Sequence, residues 1–164
     1  MLTERTITKG SQDYTRFHAL YCSAFPKAER VPVKFLMSHA VDSTLIACYD
    51  RETFCGFYST LTFGNITHIL FLAVDDALRG RGYGSIFLEL IARRYPQNRI
   101  ILDIEAEEPT ASNREQRVRR KAFYKRNGYS ESGIAYHWRG IPYEILIKNG
   151  TITEKEFDAF WDNL

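Results

Sequence analysis

The sequence lacks any apolar run of about 18 residues, the length that a membrane-spanning helix needs. It also lacks the apolar stretch near the N-terminus that marks a signal peptide. Three cysteines, Cys22, Cys48 and Cys55, are present, and their spacing is not that of metal ligands. A sparse and odd cysteine count is typical of reduced thiols in the cytosol. We therefore expect a cytoplasmic protein with no membrane partner and no metal.

The sequence also has a small net charge, no linker tract and no internal repeat. Twenty-two Lys and Arg residues balance twenty Asp and Glu residues to a net charge of +2, which argues neither for nor against binding to nucleic acid. A basic run at 114–126 keeps nucleic-acid binding open as a hypothesis, although we expect no such partner. No tract rich in Gly, Ser or Pro divides the chain, so the prediction is one domain over residues 1–164.

The apolar pattern predicts an alternating α/β fold. Strands are predicted over 2–7, 44–49, 54–63, 67–74, 99–105, 129–136 and 143–148. Helices are predicted over 12–25, 32–39, 85–95 and 112–127 and after a capping box at Thr153. Three consecutive strands joined by tight turns favour antiparallel pairing, whereas the strand–helix–strand unit at 67–105 needs a parallel crossover. The predicted fold class is therefore α/β, with a mixed, mostly antiparallel central sheet flanked by helices.

The most informative segment follows the apolar strand at 67–74. There the chain reads Arg79-Gly80-Arg81-Gly82-Tyr83-Gly84-Ser85 and then opens a helix. Glycines let an anion approach the backbone amides, and the helix N-terminus adds partial positive charge. The Gly-Lys-Ser/Thr of a Walker motif is absent, and the third glycine comes one residue early for a dinucleotide fingerprint. The segment is predicted to be a phosphate cradle; the alternative is a structural turn.

The cradle resembles the cofactor motif of the GNAT superfamily of N-acetyltransferases, Arg/Gln-x-x-Gly-x-Gly/Ala behind a strand that ends in Val. Arg79, Gly82 and Gly84 occupy those positions behind Val74. The resemblance implies a GNAT-like acyl-CoA N-acyltransferase fold, acetyl-CoA as the acetyl donor and an amine as the acceptor. The residues that it implies for cofactor binding are Leu72, Ala73, Val74, Arg79, Gly80, Arg81, Gly82, Tyr83, Gly84, Ser85 and Tyr124.

A second motif, from Phe123-Tyr124 to Gly128-Tyr129, is similar to the Phe-Tyr-x-x-x-Gly-Phe/Tyr signature of the same superfamily. The resemblance implies that Tyr124 lies near the cofactor sulfur. A phenol with a pKa of about 10 is protonated at neutral pH and can donate a proton to a leaving thiolate. The alternative is that Tyr124 is a packing residue whose hydroxyl bonds to the backbone.

The sequence departs from the family at two positions of this helix. Family members often carry Asn seven residues and Ala four residues before the tyrosine, where this chain has Arg117 and Arg120. Its nearest asparagine is Asn113, one turn further away. The two arginines could contact the 3′-phosphate of the cofactor or an acidic partner, or belong to a solvated face.

An amine must lose a proton when it is acetylated, so a base is expected. The strand at 99–105 ends in carboxylates, and Glu105 is our candidate general base, acting directly or through water. Asp103 shares its face by strand alternation. The alternative is that both carboxylates solvate the end of the strand. His68, inside the buried strand, is more typical of a satisfied core hydrogen bond than of a base.

In the family, the loop between the first two helices covers the acceptor site. The resemblance therefore makes Glu29 and Arg30 candidate contacts for a small-molecule or peptide amine. Direct attack of the amine on the thioester in a ternary complex is the expected mechanism, and the protein is expected to be a monomer or a homodimer. A second hypothesis is a catalytically silent module that binds acetyl-CoA, because Arg117 and Arg120 are unusual. The identity of the acceptor is left open.

Overall fold

Seven strands and five helices follow one another in the predicted order in the computed structural model, which describes residues 1–164. The strands are β1 (Thr3–Thr6), β2 (Asp42–Asp50), β3 (Thr53–Phe63), β4 (Ile66–Val74), β5 (Arg99–Glu105), β6 (Ser130–Trp138) and β7 (Ile141–Lys148). The helices are α1 (Gln12–Ala24), α2 (Val33–Leu36), α3 (Tyr83–Arg94), α4 (Arg114–Arg126) and α5 (Glu154–Asp162). No helix is both long and apolar enough to cross a bilayer.

The strands form one sheet in the order β1-β2-β3-β4-β5-β7-β6. The pairs β1–β2, β2–β3, β5–β7 and β6–β7 are antiparallel. β4 and β5 are adjacent in this order and are connected through α3, which is the crossover that parallel neighbours require. The predicted mixed, mostly antiparallel sheet with flanking helices is confirmed.

The chain divides into two compact units, of which the first comprises Met1–Thr62 and Ile69–Arg94. Its core is aromatic. The ring of Phe57 in β3 lies 4.7 Å from that of Phe17 in α1, and Phe71 in β4 lies 4.9 Å from both Tyr21 and Phe25. Such edge-to-face contacts add to the burial of large apolar surfaces, and they attach α1 to this part of the sheet.

The second unit comprises Phe63–His68 and Tyr95–Leu164. The strands β5 and β7 give its core an aliphatic part, because their buried side chains, on both faces of the sheet, are isoleucine and leucine. The fully or nearly buried positions of these two strands are Ile100, Ile101, Leu102, Ile104, Ile145, Leu146 and Ile147. A capping box begins α5, with the Thr153 hydroxyl accepting from the Glu156 amide at 3.1 Å.

Several predicted boundaries differ from the structure by a few residues, and two of these differences have a visible cause. Helix α2 ends at Leu36 instead of continuing to residue 39, because the Ser38 hydroxyl accepts from the Ala40 amide at 3.1 Å and competes with helical bonding. The last hairpin has a two-residue turn, Arg139-Gly140, because β6 extends to Trp138 and β7 begins at Ile141, two residues beyond the predicted strand ends at 136 and 143. Both turn residues have positive φ, 52° and 81°, which matches the twist of the flanking strands.

Candidate functional site

The glycine-rich turn follows the end of β4 directly. Leu72, Ala73 and Val74 are the last three residues of β4, and a single 3-10 turn, Asp76–Leu78, separates them from Arg79. The Asp75 carboxylate caps this turn by accepting from the Ala77 amide at 3.0 Å. The chain then enters α3 at Tyr83, two residues earlier than predicted, so that Gly84 and Ser85 lie in the first helical turn. The predicted strand, turn and helix are therefore present.

Gly80 and Gly82 have positive φ angles of 79° and 83°. A Cβ built on either residue would lie more than 4 Å from every other heavy atom outside its neighbours in the chain. Glycine is therefore favoured here by backbone conformation and not by packing within the chain. The turn leads into the N-terminus of a twelve-residue helix, whose first amides and dipole favour an anion. These features fit a phosphate group.

The two arginines of the turn are exposed. Arg79 forms an ion pair with Asp76 at 2.8 Å, and both side chains are about two-thirds exposed. Because exposed pairs of this kind contribute little, Arg79 can exchange this partner for a ligand phosphate at low cost. Arg81 adds a second positive charge between the two glycines.

One side-chain contact and one backbone hydrogen bond attach the turn to the sheet, and sequence analysis did not predict either. The Tyr83 hydroxyl donates to the Asp50 carboxylate of β2 at 2.7 Å, and this hydrogen bond raises the pKa of Tyr83 to about 12. The Asp75 amide donates to the Cys55 carbonyl of β3 at 2.8 Å. The end of β4 and the start of α3 are therefore both held by the first unit.

Gly56, in β3, lies against the end of β4. A Cβ at this position would overlap the Ala73 carbonyl oxygen and approach Cε2 of Phe87 to 2.8 Å. A glycine inside a strand pattern indicates a bulge or a close backbone approach, and that signal was available in the sequence. The absence of a side chain at residue 56 lets the backbone of Ala73 take its position.

At the end of β5, Glu105 forms an ion pair rather than pointing into solvent. Its Oε2 lies 2.6 Å from a guanidinium nitrogen of Arg117, and the Glu105 side chain is 25% exposed. The Asn113 amide group lies 3.5 Å from Oε1. The alternative of a merely solvating carboxylate therefore does not describe Glu105.

Arg117 differs from the other arginines of α4 because it is buried, with 9% of its side chain exposed. Its Nε donates to Oδ1 of Asn113 at 2.8 Å, and its Nη1 donates to the Ala106 carbonyl at 3.0 Å. Glu108 adds a longer ion pair at 3.7 Å. Arg114, Arg119 and Arg120 are exposed, as a solvated face predicts. Sequence analysis did not predict that Arg117 faces Glu105.

Tyr124 is buried on the same helix, with 5% of its surface exposed. Its ring packs against Phe123 and Tyr129 at centroid distances of 5.1 and 5.9 Å. The Tyr129 hydroxyl is buried without a hydrogen-bond partner, and burial raises its pKa. The aromatic motif at 123–129 therefore places two phenols close together in a low-dielectric environment.

Asp103 belongs to a different cluster from Glu105. Its two carboxylate oxygens contact Nε2 of His68 and the hydroxyl of Tyr136. His68 is 3% exposed, and its Nδ1 has no partner. The expected core hydrogen bond of His68 is therefore present. Because Asp103 is occupied by this cluster, Glu105 is the carboxylate of β5 that faces α4.

Glu29 and Arg30 lie in the loop after α1, and both are half-buried. The loop is anchored by Tyr21, whose hydroxyl accepts from the Val31 amide at 2.8 Å and donates to the Val31 carbonyl at 2.9 Å. Nε of Arg30 is buried without a hydrogen-bond partner. The loop therefore holds these two charged side chains on an ordered backbone, and their contact with an acceptor stays a prediction.

Comparisons with known proteins indicate a single family. Residues 41–131 match the family model described as acetyltransferase (GNAT) domain. No curated protein sequence matches the chain. A solved structure described as a GNAT-family acetyltransferase from Bacteroides thetaiotaomicron is similar, with 22% identity, a TM-score of 0.80 and coverage of 99% of this chain and 95% of that one.

Two further solved structures share the fold at lower identity. The aminoglycoside 6′-N-acetyltransferase from Enterococcus faecium is 14% identical, with a TM-score of 0.69 and coverage of 90% of this chain and 96% of that one. A GNAT acetyltransferase from Elizabethkingia anophelis with acetyl-CoA bound is 12% identical, with a TM-score of 0.62 and coverage of 91% and 98%.

Proposed function

Because the chain belongs to the GNAT acetyltransferase family, we propose that it is an N-acetyltransferase that moves the acetyl group of acetyl-CoA to a primary amine. The observation that carries this proposal is the glycine-rich turn between β4 and α3. It combines two positive-φ glycines in open surroundings with a helix N-terminus and two exposed arginines. Together these features favour the binding of a pyrophosphate.

Within this proposal the turn residues from Arg79 to Ser85 hold the pyrophosphate of the donor. The backbone of Leu72, Ala73 and Val74 aligns the pantetheine arm as an added strand, in the way that sheets bind extended ligands. The Val74 amide is the candidate donor to the thioester carbonyl. Only Asp75 and the 3-10 turn Asp76–Leu78 separate the strand residues from Arg79, so in this proposal one continuous backbone segment binds both the pantetheine arm and the pyrophosphate.

The reaction joins the amine nitrogen to the acetyl carbon and breaks the carbon–sulfur bond, with direct attack in a ternary complex. The amine releases one proton, which we assign to Glu105, directly or through a water molecule. The departing thiolate gains one proton, which we assign to Tyr124. Both roles follow from the family resemblance and from the chemistry of the two groups.

The acceptor in this proposal is a small-molecule or peptide amine. Glu29 is the candidate partner for a cationic amine, and Arg30 for a carboxylate on the acceptor. The similar structure from Enterococcus faecium belongs to an enzyme that acetylates the 6′-amine of aminoglycosides, which makes polycationic amines a sensible start for an acceptor screen.

A catalytically silent acetyl-CoA-binding module is the second candidate function. The observation that favours it is the ion pair between Glu105 and the buried Arg117, since a base with one oxygen already occupied has less freedom to accept a proton. The two functions differ in one measurable property, the acceptor-dependent release of coenzyme A.

The test has two stages. First, acetyl-CoA, coenzyme A and NADH are titrated against the purified protein by calorimetry, and we expect micromolar binding of acetyl-CoA and no binding of NADH. Second, thiol release is followed with a panel of amines for the wild type, Tyr124→Phe and the control Tyr95→Phe. We expect Tyr124→Phe alone to lose about 100-fold in kcat.

Each result discriminates between the hypotheses. Acetyl-CoA binding without thiol release on any amine would support the silent module. Absence of acetyl-CoA binding by the folded protein would overturn both functions.

A further inference from the structure

We propose that Arg117 is a positioning residue that orients the Glu105 carboxylate so that its Oε1 atom receives the proton of the acceptor amine. This inference rests on the proposed function, and it adds a residue that the family signature does not contain. It is carried by the unequal surroundings of the two Glu105 oxygens and by the burial of the Arg117 guanidinium.

The two oxygens of Glu105 have different partners. Oε2 is bound by Arg117 at 2.6 Å, a short charge-assisted contact. Oε1 has only the Asn113 amide group, at 3.5 Å, which is the outer limit of a hydrogen bond. Each carboxylate oxygen can accept two hydrogen bonds, so Oε1 keeps the capacity to accept a proton while Oε2 remains paired.

Arg117 is itself fixed by neighbours on both sides. Nε donates to Asn113 at 2.8 Å and Nη1 to the Ala106 carbonyl at 3.0 Å. The guanidinium therefore contacts Glu105 at the end of β5, Ala106 directly after it and Asn113 directly before α4. A rigid guanidinium held at three points can set the rotation of the carboxylate that it binds.

Stability does not explain this arrangement well. A guanidinium that is 9% exposed loses most of its hydration, and replacement of a buried ion pair by apolar side chains is often neutral or stabilising. A pair of apolar residues at positions 105 and 117 would suit a purely structural role. The charged group is explained if the orientation of Glu105 matters to the reaction.

The departure from the family pattern supports the same interpretation. The position seven residues before Tyr124 often carries Asn in the family, and here it is Arg117. The chain's own asparagine, Asn113, stands one turn earlier and contacts both Arg117 and Glu105. Amide and guanidinium groups therefore act together on one carboxylate.

A double-mutant cycle between Arg117→Gln and Glu105→Gln tests the proposal with whichever amine the wild type acetylates. We expect Arg117→Gln to lower kcat about 100-fold, the cost of misplacing a catalytic group by roughly an ångström. The KM for acetyl-CoA should stay within about twofold, because the lost interaction acts at proton transfer. In the Glu105→Gln background, Arg117→Gln should change kcat less than about twofold.

Two further variants serve as a partial rescue and a control. Arg117→Lys keeps the charge but loses the planar, two-pronged donor geometry of the guanidinium, so we expect a kcat between those of wild type and Arg117→Gln. Arg119→Gln removes the same charge from the exposed face of α4, where Arg119 is 73% exposed, and should match the wild type.

Folding and cofactor binding are measured on the same proteins. Thermal unfolding of the ligand-free variants shows whether each one folds, and calorimetry should give an unchanged affinity for acetyl-CoA. If Arg117→Gln does not fold, the cycle is run with Arg117→Lys.

A folded Arg117→Gln protein with wild-type kcat, or effects of the two substitutions that multiply, would overturn the proposal and leave the acetyltransferase function intact. A wild type that acetylates no amine would overturn both.

Discussion

The glycine-rich turn and the end of β5 are built in opposite ways. The turn uses backbone: its glycines have open surroundings and its arginines are exposed. The end of β5 uses side chains, with Glu105 paired to an Arg117 that is 9% exposed. The difference teaches that a candidate anion site can be specified by a few local φ angles, whereas the half-buried Glu105 carboxylate is paired with a residue from another element. Substitutions should therefore have different consequences in the two regions.

The largest expected effect is on ligand binding at the turn. Gly82→Glu places a negative side chain in the candidate phosphate cradle, and we expect acetyl-CoA to bind at least about 100-fold more weakly. The fold should be only slightly destabilised, by about 1 kcal/mol, because residue 82 has open surroundings and a positive φ.

Gly10→Glu is the matched control, since Gly10 has the same φ of 83° and equally open surroundings. Calorimetry and thermal unfolding of both variants check this prediction. Equal acetyl-CoA affinity in the two proteins would show that the turn is structural.

Gly56→Ala should have the next largest effect, and it should act on stability. The added methyl group would overlap the Ala73 carbonyl oxygen, and overpacking of this kind costs about 2 kcal/mol. Denaturant unfolding measures the loss. Gly64→Ala is the control. Gly64 also has a positive φ, but its surroundings are open, so the loss of stability should be nearer to about 1 kcal/mol. Equal losses would contradict a close approach between Gly56 and β4.

A smaller effect on the free energy of unfolding is expected from substitutions at the helix caps. One helix of each unit is compared. Thr153→Ala removes the half of the capping box of α5 in which the Thr153 hydroxyl accepts from the Glu156 amide, while the bond from the Thr153 amide to the Glu156 carboxylate remains. It should lower the free energy of unfolding by about 1 kcal/mol. Ser11→Ala removes the bond from the Tyr14 amide to the cap of α1, at 3.1 Å, and the exposed bond that the Ser11 hydroxyl donates to the Thr8 carbonyl, at 2.7 Å, and should cost the same or less. A larger loss in Ser11→Ala would reverse this ranking.

The smallest effect is a change in one titration. The hydrogen bond to Asp50 raises the pKa of Tyr83 to about 12, so the folded protein holds this proton more tightly than the unfolded chain. The resulting stabilisation is fully present below pH of about 10 and is lost as the pH rises through about 12. Asp50→Asn should move one tyrosine titration down toward pH of about 10. Absorbance of tyrosinate measures this shift, and an unchanged titration curve would contradict the contact.

Much of the fold was predictable because its signals are local. The capping box of α5, the order of helices and strands and the turn into α3 depend on residues within a few positions of one another. Gly56 carried a signal, a glycine within a strand, that indicated a close approach without saying to what. No local signal in the sequence indicated the pairing of Asp103 with His68, because 35 positions separate the two residues.

The sequence by itself determined the alternation of helices and strands and the glycine-rich turn, since apolar periodicity and glycine spacing act through the backbone of one segment. Only the tertiary structure decided which arginine of α4 is buried. Arg114, Arg117, Arg119 and Arg120 carry the same group on one helix, and the rotation of α4 against β5 selects Arg117 to meet Glu105. The physical reason is that a buried charge requires a partner of opposite sign, and folding brings that partner from a different element.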